Sequence, residues 1–549
     1  MENIKFFALG GLDENGRNMS VIEIDQEMYI IDVGLKYPEN EQLGIQAIIP
    51  DFSYIIENKE KVKGIFITHG HDDVMGALPY LVEVIDAPIY ATPLIELMIE
   101  DMFKKHNVKA KNIKRIKRNS KFKLNNREIV TFGLTHSIPD AVGIAIKTDQ
   151  GYIVHSGEFI MDFNTASEAF NMNLTSISEL GRKGVFALLS ESVSAGAEGF
   201  TSPNHRIEDT IDRVFEDEEE RIIVTLYEQN IYRLIEVIEV AKRYKRKLYF
   251  YGEKQRMLMR HLEKLNYFSI PKGMLLSPKE FNNDYKNVVI VVSDVGPNVF
   301  RKMARIAMGE DQLIEINPED TVIMAAPVVP GTEKLSSEVV NELYKEGVKV
   351  ISIKAESMHA SQEDLKMMIA LLKPKYYIPI KGSYQRLNVN ADLAHSMGIH
   401  KDKIIILDNG QIANFKNGEL VDTTEIIKEE QILIDGNENL DASGLVLRDR
   451  QILATDGSII VGIVLDQKTK KVIGGPDIQS RGVIYLKDAR NLMNQVGKIL
   501  QETIEEHVKA NEYKHIDTRN EARKRISRFI QEETGKRPMV MPVIIEIRQ

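Results

Sequence analysis

The chain of 549 residues contains no cysteine and no tryptophan. Without cysteine there can be no disulfide, iron–sulfur cluster, cysteine-ligated zinc site or thiol nucleophile, so any metal must be held by His, Asp and Glu. The N-terminus MENIKFFALGG lacks a basic segment followed by a long apolar run, and no signal peptide is expected. No stretch reaches about 18 consecutive apolar residues, so no membrane span is expected. These absences favour a protein of the reducing cytoplasm.

Composition and length indicate a folded chain of several domains. The hydrophobic fraction of 43% and the charged fraction of 28% are ordinary for globular protein. The length predicts about three or four domains. The formal net charge of −10 by itself argues against nucleic acid as a partner.

The rhythm of the sequence changes twice along the chain. Short β-branched runs such as SVIEI and MYIIDVG follow one another closely at the start, which predicts antiparallel hairpins. From about residue 198, strand-like and helix-like runs alternate, which predicts a parallel α/β arrangement and a second domain. The polar stretch 432–447, ILIDGNENLDASGLVL, is a candidate linker to a small α+β tail.

The segment GIFITHGHDDVMGALPYL carries the main chemical signal. A predicted strand ends at Thr68, and His69, His71 and Asp73 follow at alternate positions. Alternate residues of an extended loop point the same way, so the two histidines can bind one ion together. Asp73 can reach the same ion or a neighbouring one. The alternative is a charged loop that merely ends a strand.

Three further polar residues follow predicted strands. They are Asp32 after MYII, His136 in FGLTHSIPD and Glu158 in YIVHSGEF. Strand ends and the loops after them are where binding and catalytic groups are usually placed. The pattern predicts a centre built from histidine and carboxylate.

These motifs resemble the metallo-β-lactamase fold, and the inserted α/β segment resembles the β-CASP subgroup. Along nearly its whole length the chain resembles the ribonuclease J family, in LGGLDENGRNM, IIDVGLKYPE, THGHDD, THSIPD and HASQEDLKMMIALLKPKYYIPIKG. The resemblance implies an α/β (α+β) chain: an αββα sandwich, an inserted β-CASP domain and a small α+β C-terminal domain. The expected boundaries are 1–199 and 355–431 for the sandwich, 200–354 for the insertion, 432–447 for the linker and 448–549 for an oligomerisation domain.

The resemblance also implies an activity and partners. It implies a ribonuclease acting as a 5′–3′ exonuclease, with endonuclease activity as a second possibility, in ribosomal RNA maturation and mRNA decay. It implies RNA as substrate, homodimers or tetramers, and membership of an RNA degradosome. The departures described next resemble those of an active-site-degenerate paralogue that pairs with an active ribonuclease J in a hetero-complex.

The family's two-metal signature is incomplete in this sequence. It reads HxHxDH, then a distant His, a bridging Asp and a late His, and here the bridging Asp has become Glu158. Val74 and Lys381 stand where two imidazoles are lost. We expect at most one well-formed Zn²⁺ or Mn²⁺ site, or no bound ion. The metal ligands implied by the resemblance are His69, His71, Asp73, His136 and Glu158.

Lys381 raises a specific hypothesis. A charged lysine beside Asp73 and Glu158 would neutralise the carboxylates and replace the missing cation, because lysine coordinates a metal only after losing its proton. The alternative is that Lys381 extends to solvent.

The segment AESMHASQEDL matches the family's phosphate-binding loop. Within the resemblance, His359 and Asp73 are the catalytic residues, and Met358 in place of Gly narrows the pocket for a 5′ monophosphate. A plain helix cap would explain Ser361 but not His359. The implied substrate-binding residues are Ala355, Glu356, Ser357, Met358, His359 and Asn230.

Three other positions have an expected supporting role. Asp32 and Glu191 are expected behind the ligands, with Glu191 holding a metal-ligand histidine. Asn230 matches a nucleotide contact of the family, and a helix N-cap is the alternative.

Residues 104–123 contain ten Lys or Arg and no Asp or Glu. Such a run is either a solvated face or a surface that follows RNA phosphates. ARKRISRF near Arg523 is a weaker candidate of the same kind.

Two functions from different classes stay open. One is a weak ribonuclease that uses a single histidine-bound ion, and the other is a non-catalytic RNA-binding and scaffolding subunit of a hetero-complex. A small-molecule hydrolase would leave the insertion and the C-terminal domain unexplained.

Overall fold

The structure is a computed structural model that describes residues 2–38, 43–109, 112–329, 331–436, 438–440, 445–483 and 489–548. Two compact units divide the chain, one of residues 1–37 and 48–432 and the other of residues 38–47 and 433–549. Among the described residues, no helix has the length and apolar character needed to cross a bilayer.

The N-terminal part of the chain consists of short strands and helices. Up to residue 191 these are β1 (Asn3–Gly10), β2 (Met19–Ile24), β3 (Glu27–Ile31), β4 (Ala47–Ile49), α1 (Ser53–Glu57), β5 (Val62–Phe66), α2 (Asp72–Met75), α3 (Leu78–Val84), β6 (Ile89–Ala91), α4 (Pro93–Lys105), β7 (Ile113–Arg115), β8 (Ser120–Leu124), β9 (Arg127–Gly133), β10 (Val142–Thr148), β11 (Gly151–His155), α5 (Leu174–Lys183) and β12 (Val185–Glu191). β1, β2 and β3 form the predicted antiparallel hairpins.

The next elements form the inserted α/β segment. They are α6 (Glu208–Asp217), β13 (Ile222–Tyr227), α7 (Ile231–Arg243), β14 (Lys247–Tyr251), α8 (Glu253–Lys264), β15 (Val288–Asp294), α9 (Asn298–Ala307), β16 (Thr321–Met324), α10 (Glu333–Lys345) and β17 (Lys349–Ser352). The five strands pair in the order β14-β15-β13-β16-β17, and every pairing is parallel. The parallel α/β arrangement predicted from the alternating pattern is confirmed.

The chain then returns to the first fold through α11 (Gln362–Leu372), β18 (Tyr376–Ile380), α12 (Tyr384–Ser396), β19 (Ala413–Lys416) and β20 (Glu419–Asp422). One sheet has the order β20-β19-β1-β2-β3-β5-β6-β7, and the other β18-β12-β11-β10-β9-β8. Buried side chains such as Phe6, Phe66 and Leu189 belong to the core between the sheets. A second core lies between the six-stranded sheet and α5, α11 and α12. The predicted sandwich with its insertion is therefore present.

The last elements are β21 (Ile432–Asp435), β22 (Glu438–Leu440), α13 (Leu445–Thr455), β23 (Ser458–Asp466), β24 (Val472–Arg481), α14 (Ala489–Lys509), α15 (His515–Thr534) and β25 (Met539–Ile547). β24, β23 and β25 form a three-stranded sheet that packs its apolar face on α14 and α15. The predicted linker 432–447 contains β21, β22 and the start of α13, while residues 437 and 441–444 lie outside the described residues. The domain boundaries stay predictions.

Candidate metal centre

Polar residues from six strands meet at one edge of the sandwich. β3 and β5 run parallel in the eight-stranded sheet. In the six-stranded sheet, β9, β11, β12 and β18 all run in one direction, because β9 and β11 are both antiparallel to β10 and the others pair in parallel. The residues at or just after these six strand ends are Asp32, His69, His136, Glu158, Glu191 and Lys381.

Four donors form a compact group that can hold a metal ion. One atom each of His69, His71, His136 and Glu158 lies within 4.8 Å of the others. Glu158 Oε2 is 3.3 Å from His69 Nε2 and 3.4 Å from His136 Nε2. His69 Nε2 and Glu158 Oε2 are buried and have no hydrogen-bond partner among the described residues. Buried polar atoms are almost always hydrogen-bonded. The positions of these two atoms are therefore typical of metal ligands.

Two of the rings are fixed so that their other nitrogen faces the centre. His136 Nδ1 lies 2.8 Å from the carbonyl oxygen of Met358, which can only accept, so Nδ1 donates and Nε2 keeps its lone pair. His69 Nδ1 lies 3.1 Å from the Thr68 hydroxyl, which itself donates to Asp32. Such outer contacts select the tautomer in which a ring nitrogen is free to bind a metal.

The third ring and the nearby Asp73 are held separately. Ser137 Oγ lies 3.0 Å from His71 Nε2, which leaves His71 Nδ1 facing His136. Asp73 Oδ2 accepts from Asn18 Nδ2 at 2.9 Å and is not part of the four-donor group. Four of the five predicted ligands are thus brought together. Sequence reasoning missed Ser137 and Asn18, because a lone Ser or Asn carries no motif.

Lys381 lies on the opposite side of Glu158 from the histidines. Its Nζ donates to Glu158 Oε1 at 3.1 Å and to Asp32 Oδ2 at 3.2 Å. The side chain is 4% exposed, so the alternative in which Lys381 extends to solvent is wrong. The predicted pairing with Asp73 needs correction, because the hydrogen-bonded carboxylates are Asp32 and Glu158. Burial lowers the pKa of Lys381, but Glu158 and Asp32 raise that pKa by a larger amount. The pKa is therefore above its ordinary value, and the ammonium stays charged.

The charges of the centre follow from burial and from neighbouring ions. Burial lowers the pKa of His71 and of His136 well below the ordinary value, so both rings are neutral and able to coordinate. Burial raises the pKa of Glu158, but Lys381 and His69 lower that pKa by more, and the carboxyl is ionised. Burial and the charge of Glu158 raise the pKa of Asp73.

The expectation that Glu191 holds a metal-ligand histidine is wrong. Glu191 holds His359 instead. Its Oε2 is 2.9 Å from His359 Nδ1, and its Oε1 accepts from the backbone of Phe159 at 2.7 Å. Burial lowers the pKa of His359, while Glu191 and Glu158 raise that pKa more, to about 9. His359 is 22% exposed, so a charged imidazolium borders the centre and is partly accessible to solvent.

The expected phosphate-binding loop runs beside this imidazolium. Ser357 Oγ is partly buried and lies 3.4 Å from Ser194 Oγ. The Met358 side chain is buried, and its backbone carbonyl fixes His136. Ser361 forms a capping box at the start of α11.

The remaining predicted substrate residues are dispersed. Asn230 Oδ1 accepts from the backbone N–H of Arg233 and caps α7, which is the alternative role stated for it. The side chain of Ala355 is half-buried and that of Glu356 is exposed. The residue beside Asn230, Gln229, donates to the carbonyl of Gly70 and to Asp72, and so joins the inserted segment to the histidine loop.

The donor set fits one divalent ion and not two. Three imidazoles and one carboxylate match Zn²⁺ or a similar transition metal, and two of their atoms have no hydrogen-bond partner among the described residues. On the other side, Glu158 Oε1 already accepts a hydrogen bond from the Lys381 ammonium. Val74 is fully buried there and has no atom that can bind a metal. That side does not fit a second metal.

Comparison with known families matches four segments of the chain. The Metallo-beta-lactamase superfamily matches residues 12–140, and the Ribonuclease J beta-CASP domain matches residues 219–343. The Zn-dependent metallo-hydrolase RNA specificity domain matches residues 348–405, and the Ribonuclease J C-terminal domain matches residues 445–547.

Individual relatives extend over the whole chain. Ribonuclease J 2 from Staphylococcus saprophyticus is 34% identical over 551 residues, which cover 100% of this chain and 99% of the relative. Ribonuclease J 2 from Staphylococcus aureus is 34% identical over 556 residues with the same coverage. A crystal structure of a protein of unknown function from Enterococcus faecalis aligns with a TM-score of 0.52 and 13% identity, over 75% of this chain and 100% of that one. At that identity the structural likeness supports the fold alone.

Proposed function

This chain belongs to the ribonuclease J family, and on that premise we propose that it hydrolyses RNA with a single metal ion and at an attenuated rate. The family makes it a metal-dependent RNA hydrolase. The single ion and the attenuation are our proposals. One observation carries them: three histidines and Glu158 converge on one side, whereas Lys381 fills the other side.

The proposed ligands are His69, His71, His136 and Glu158. Zn²⁺ or Mn²⁺ held by them would supply Lewis-acid chemistry toward a phosphodiester. The residues of the chain set the geometry: Thr68, Met358 and Ser137 each contact one ring nitrogen, so the other nitrogen of each ring faces inward.

The proton-carrying group that we propose is His359. Glu191 holds its Nδ1 and keeps the ring charged, so Nε2–H can donate to a phosphate oxygen and then protonate the leaving oxygen. Ser357 and the backbone of the loop 355–359 would bind the neighbouring phosphate. Asp73 is proposed to orient groups of the substrate from the side of Asn18.

Attenuation follows from two features of the centre. Only one cation position accepts a metal, so nothing clamps the attacking and leaving oxygens together as a pair of metals does. Glu158 also has one methylene more than the Asp of the family signature, and a displacement of about 1 Å can cost roughly 100-fold in rate. We propose 5′–3′ exonuclease activity as the main reaction, with endonuclease activity second.

The non-catalytic scaffold is the second candidate, favoured by Val74 and Lys381 at two ligand positions. In that case the chain binds RNA and pairs with an active paralogue. Homodimers or tetramers, a hetero-complex, a degradosome and a cytoplasmic location stay predictions. The domain boundaries stated above also stay proposals.

Degradation of a 5′-monophosphorylated RNA with added Mn²⁺ separates the two candidates. The wild type is compared with a variant carrying His69→Ala and His71→Ala. If the chain is a hydrolase, only the wild type should degrade the RNA. Equal residual activity in both proteins would mean contamination and would favour the scaffold.

A further inference from the structure

We propose that the Lys381 ammonium is a permanent cation of this centre and takes the place of a second divalent ion. The inference rests on the proposed function only in assuming that the histidine side holds a metal. It predicts a latent second metal site, made of carboxylates, that opens when the ammonium is removed.

The two oxygens of Glu158 serve two different positions. Oε2 faces His69 and His136 and has no hydrogen-bond partner, whereas Oε1 accepts from Lys381 Nζ at 3.1 Å. A bridging carboxylate between two cations has this arrangement. Here one position is open to a metal and the other is filled by a nitrogen of the chain.

The ammonium is held in place by the backbone as well as by charge. Lys381 has φ 57°, and Asp32, which accepts its second hydrogen bond at 3.2 Å, has φ 65°. Both residues are thus in the left-handed region, which costs a non-glycine residue energy and persists where surrounding contacts enforce it. The Lys381 carbonyl accepts from the backbone of Ser192 at 3.1 Å. Displacing this side chain would break both of its buried ion pairs.

The local charge count explains why a cation is needed there. Asp32 and Glu158 are buried, Asp73 interacts electrostatically with the same ammonium, and Val74 contributes only apolar surface. Buried carboxylates without a counter-charge are strongly unfavourable. Removing the ammonium therefore leaves oxygen donors of the kind that Mn²⁺ or Mg²⁺ prefers.

The test counts Mn²⁺ ions per chain by native mass spectrometry of the full-length protein. The wild type should hold one ion and Lys381→Ala two. Lys381→Arg, which keeps the positive charge, should hold one. Thermal unfolding with and without Mn²⁺ gives a second readout, because Lys381→Ala should gain a larger upward shift in Tm than the wild type.

Two tightly held ions in the wild type, or a folded Lys381→Ala variant that holds no more ions than Lys381→Arg, would overturn the inference. If Lys381→Ala does not fold without metal, recovery of folding by Mn²⁺ supports it and failure of that recovery counts against it. No ion in the wild type but one in Lys381→Ala would refute the proposed hydrolytic centre while supporting the role of the lysine.

A second inference comes independently from the basic run 104–123. We propose that Lys114 and Lys117 bind the phosphate backbone of the RNA beside the centre. Lys111 lies outside the described residues. The run does not form one surface, because Lys105 and Lys109 precede β7 whereas Lys117 follows it, at the other end of the strand.

Strand register locates the two halves. Phe66 of β5 pairs with Tyr90 of β6, and Tyr90 pairs with Lys114 of β7, all in parallel. Lys114 is therefore two strands, about 10 Å, from the strand that leads into the histidine loop. Lys117 lies further toward the end of the sheet that carries His69. Lys105 and Lys109 precede the start of β7, at the opposite end.

Charge pairing selects the lysines within the run. Arg115 pairs with Glu96 and Lys121 with Glu128, and Arg118 binds the backbone carbonyls of Glu168 and Asn171. Lys114, Lys117 and Lys123 are exposed and form no ion pair with a described residue, but β8 runs antiparallel to β9 and carries Lys123 away from the centre. Lys105 and Lys109 are also exposed and form no ion pair with a described residue, so they provide a matched control. In ARKRISRF, Arg525 is already paired with Glu506 and Glu521.

The alternative is that lysines on β7 only protect an exposed sheet edge. Binding of a single-stranded 5′-monophosphorylated RNA to full-length protein without added metal distinguishes the two. Lys114→Glu with Lys117→Glu should weaken binding at least tenfold and reduce the slope of log affinity against log salt by about 0.7 per lost contact. Lys105→Glu with Lys109→Glu should have little effect. Equal effects of the two pairs would overturn the inference, and a wild type that does not bind RNA would refute the proposed function itself.

Discussion

The two sides of Glu158 differ in residue type and in whether their polar atoms already have hydrogen-bond partners. On the side of His69 and His136, a carboxylate oxygen and a ring nitrogen are buried without partners. On the side of Lys381, the other carboxylate oxygen is satisfied by an ammonium at 3.1 Å. The same edge of the sandwich thus presents an open position and a filled one.

This difference separates metal binding from charge balance. Three imidazole rings give the open side nitrogen donors, which suits a transition metal. The filled side has surplus carboxylate charge and a fixed cation, which suits stability of the fold rather than exchange of ions. Variants that affect one side, the other side, or both should therefore behave differently.

Glu158→Ala removes the group shared by both sides and should have the largest effect. It deletes a metal ligand and leaves Lys381 buried with one partner, which typically costs about 3–5 kcal/mol in the free energy of unfolding. We expect loss of the bound ion and a large drop in stability, measured by metal analysis and urea unfolding.

Asp320→Ala is the matched control for Glu158→Ala. Asp320 forms a buried ion pair with Arg221 in the inserted segment, away from the centre. Its removal should lower stability by a comparable amount and leave the metal content unchanged. A Glu158→Ala variant as stable as the wild type would contradict the shared role of this carboxylate.

His136→Ala changes the open side alone and should have an intermediate effect. Loss of a ligand should weaken metal binding by more than about 100-fold, the upper end seen when only an outer contact is removed. The free energy of unfolding without metal should fall by about 1–3 kcal/mol, because the carbonyl of Met358 loses its donor while the pairs of Lys381 remain. Calorimetric titration of Zn²⁺ and urea unfolding in chelator measure the two effects. A stability loss as large as that of Glu158→Ala would mean that the two sides are not separable.

Ser137→Ala and Asn18→Ala give the smallest and sharpest comparison. Ser137 holds His71, and its loss should weaken metal binding by about 10–100-fold. Asn18 holds Asp73, which lies outside the four-donor group, so its loss should leave the affinity nearly unchanged. Equal losses of affinity in the two variants would make Asp73 a ligand after all.

Sequence patterns predicted the elements and the sites better than the pairings between them. His69, His71, His136 and Glu158 were found because strand ends and alternation are local signals. The partner of Lys381 was assigned to Asp73 rather than Asp32, because the choice depends on how β3 and β18 meet across the sandwich. The separation of Glu191 from the metal ligands likewise depends on the third dimension.

The positions of the residues in the basic run also depend on the fold rather than on the local sequence. Its composition suggested one surface, but register places Lys105 and Lys117 at opposite ends of the sheet. Asn230 matches a nucleotide contact of the family by its position in the sequence, but its side chain caps the N-terminus of α7. An Asn directly before a helix is also typical of such a cap. The sequence therefore predicts which residues carry the chemistry, whereas the packing of the fold determines which residues each of them contacts.

Electron paramagnetic resonance of the Mn²⁺-loaded wild-type protein tests the central claim most directly. One metal beside a resident ammonium predicts the hyperfine pattern of an isolated Mn²⁺ ion, unchanged as further Mn²⁺ is added beyond one equivalent apart from the signal of free ion. The spectrum of an exchange-coupled pair of Mn²⁺ ions would contradict the account, because it requires a second metal where Lys381 stands.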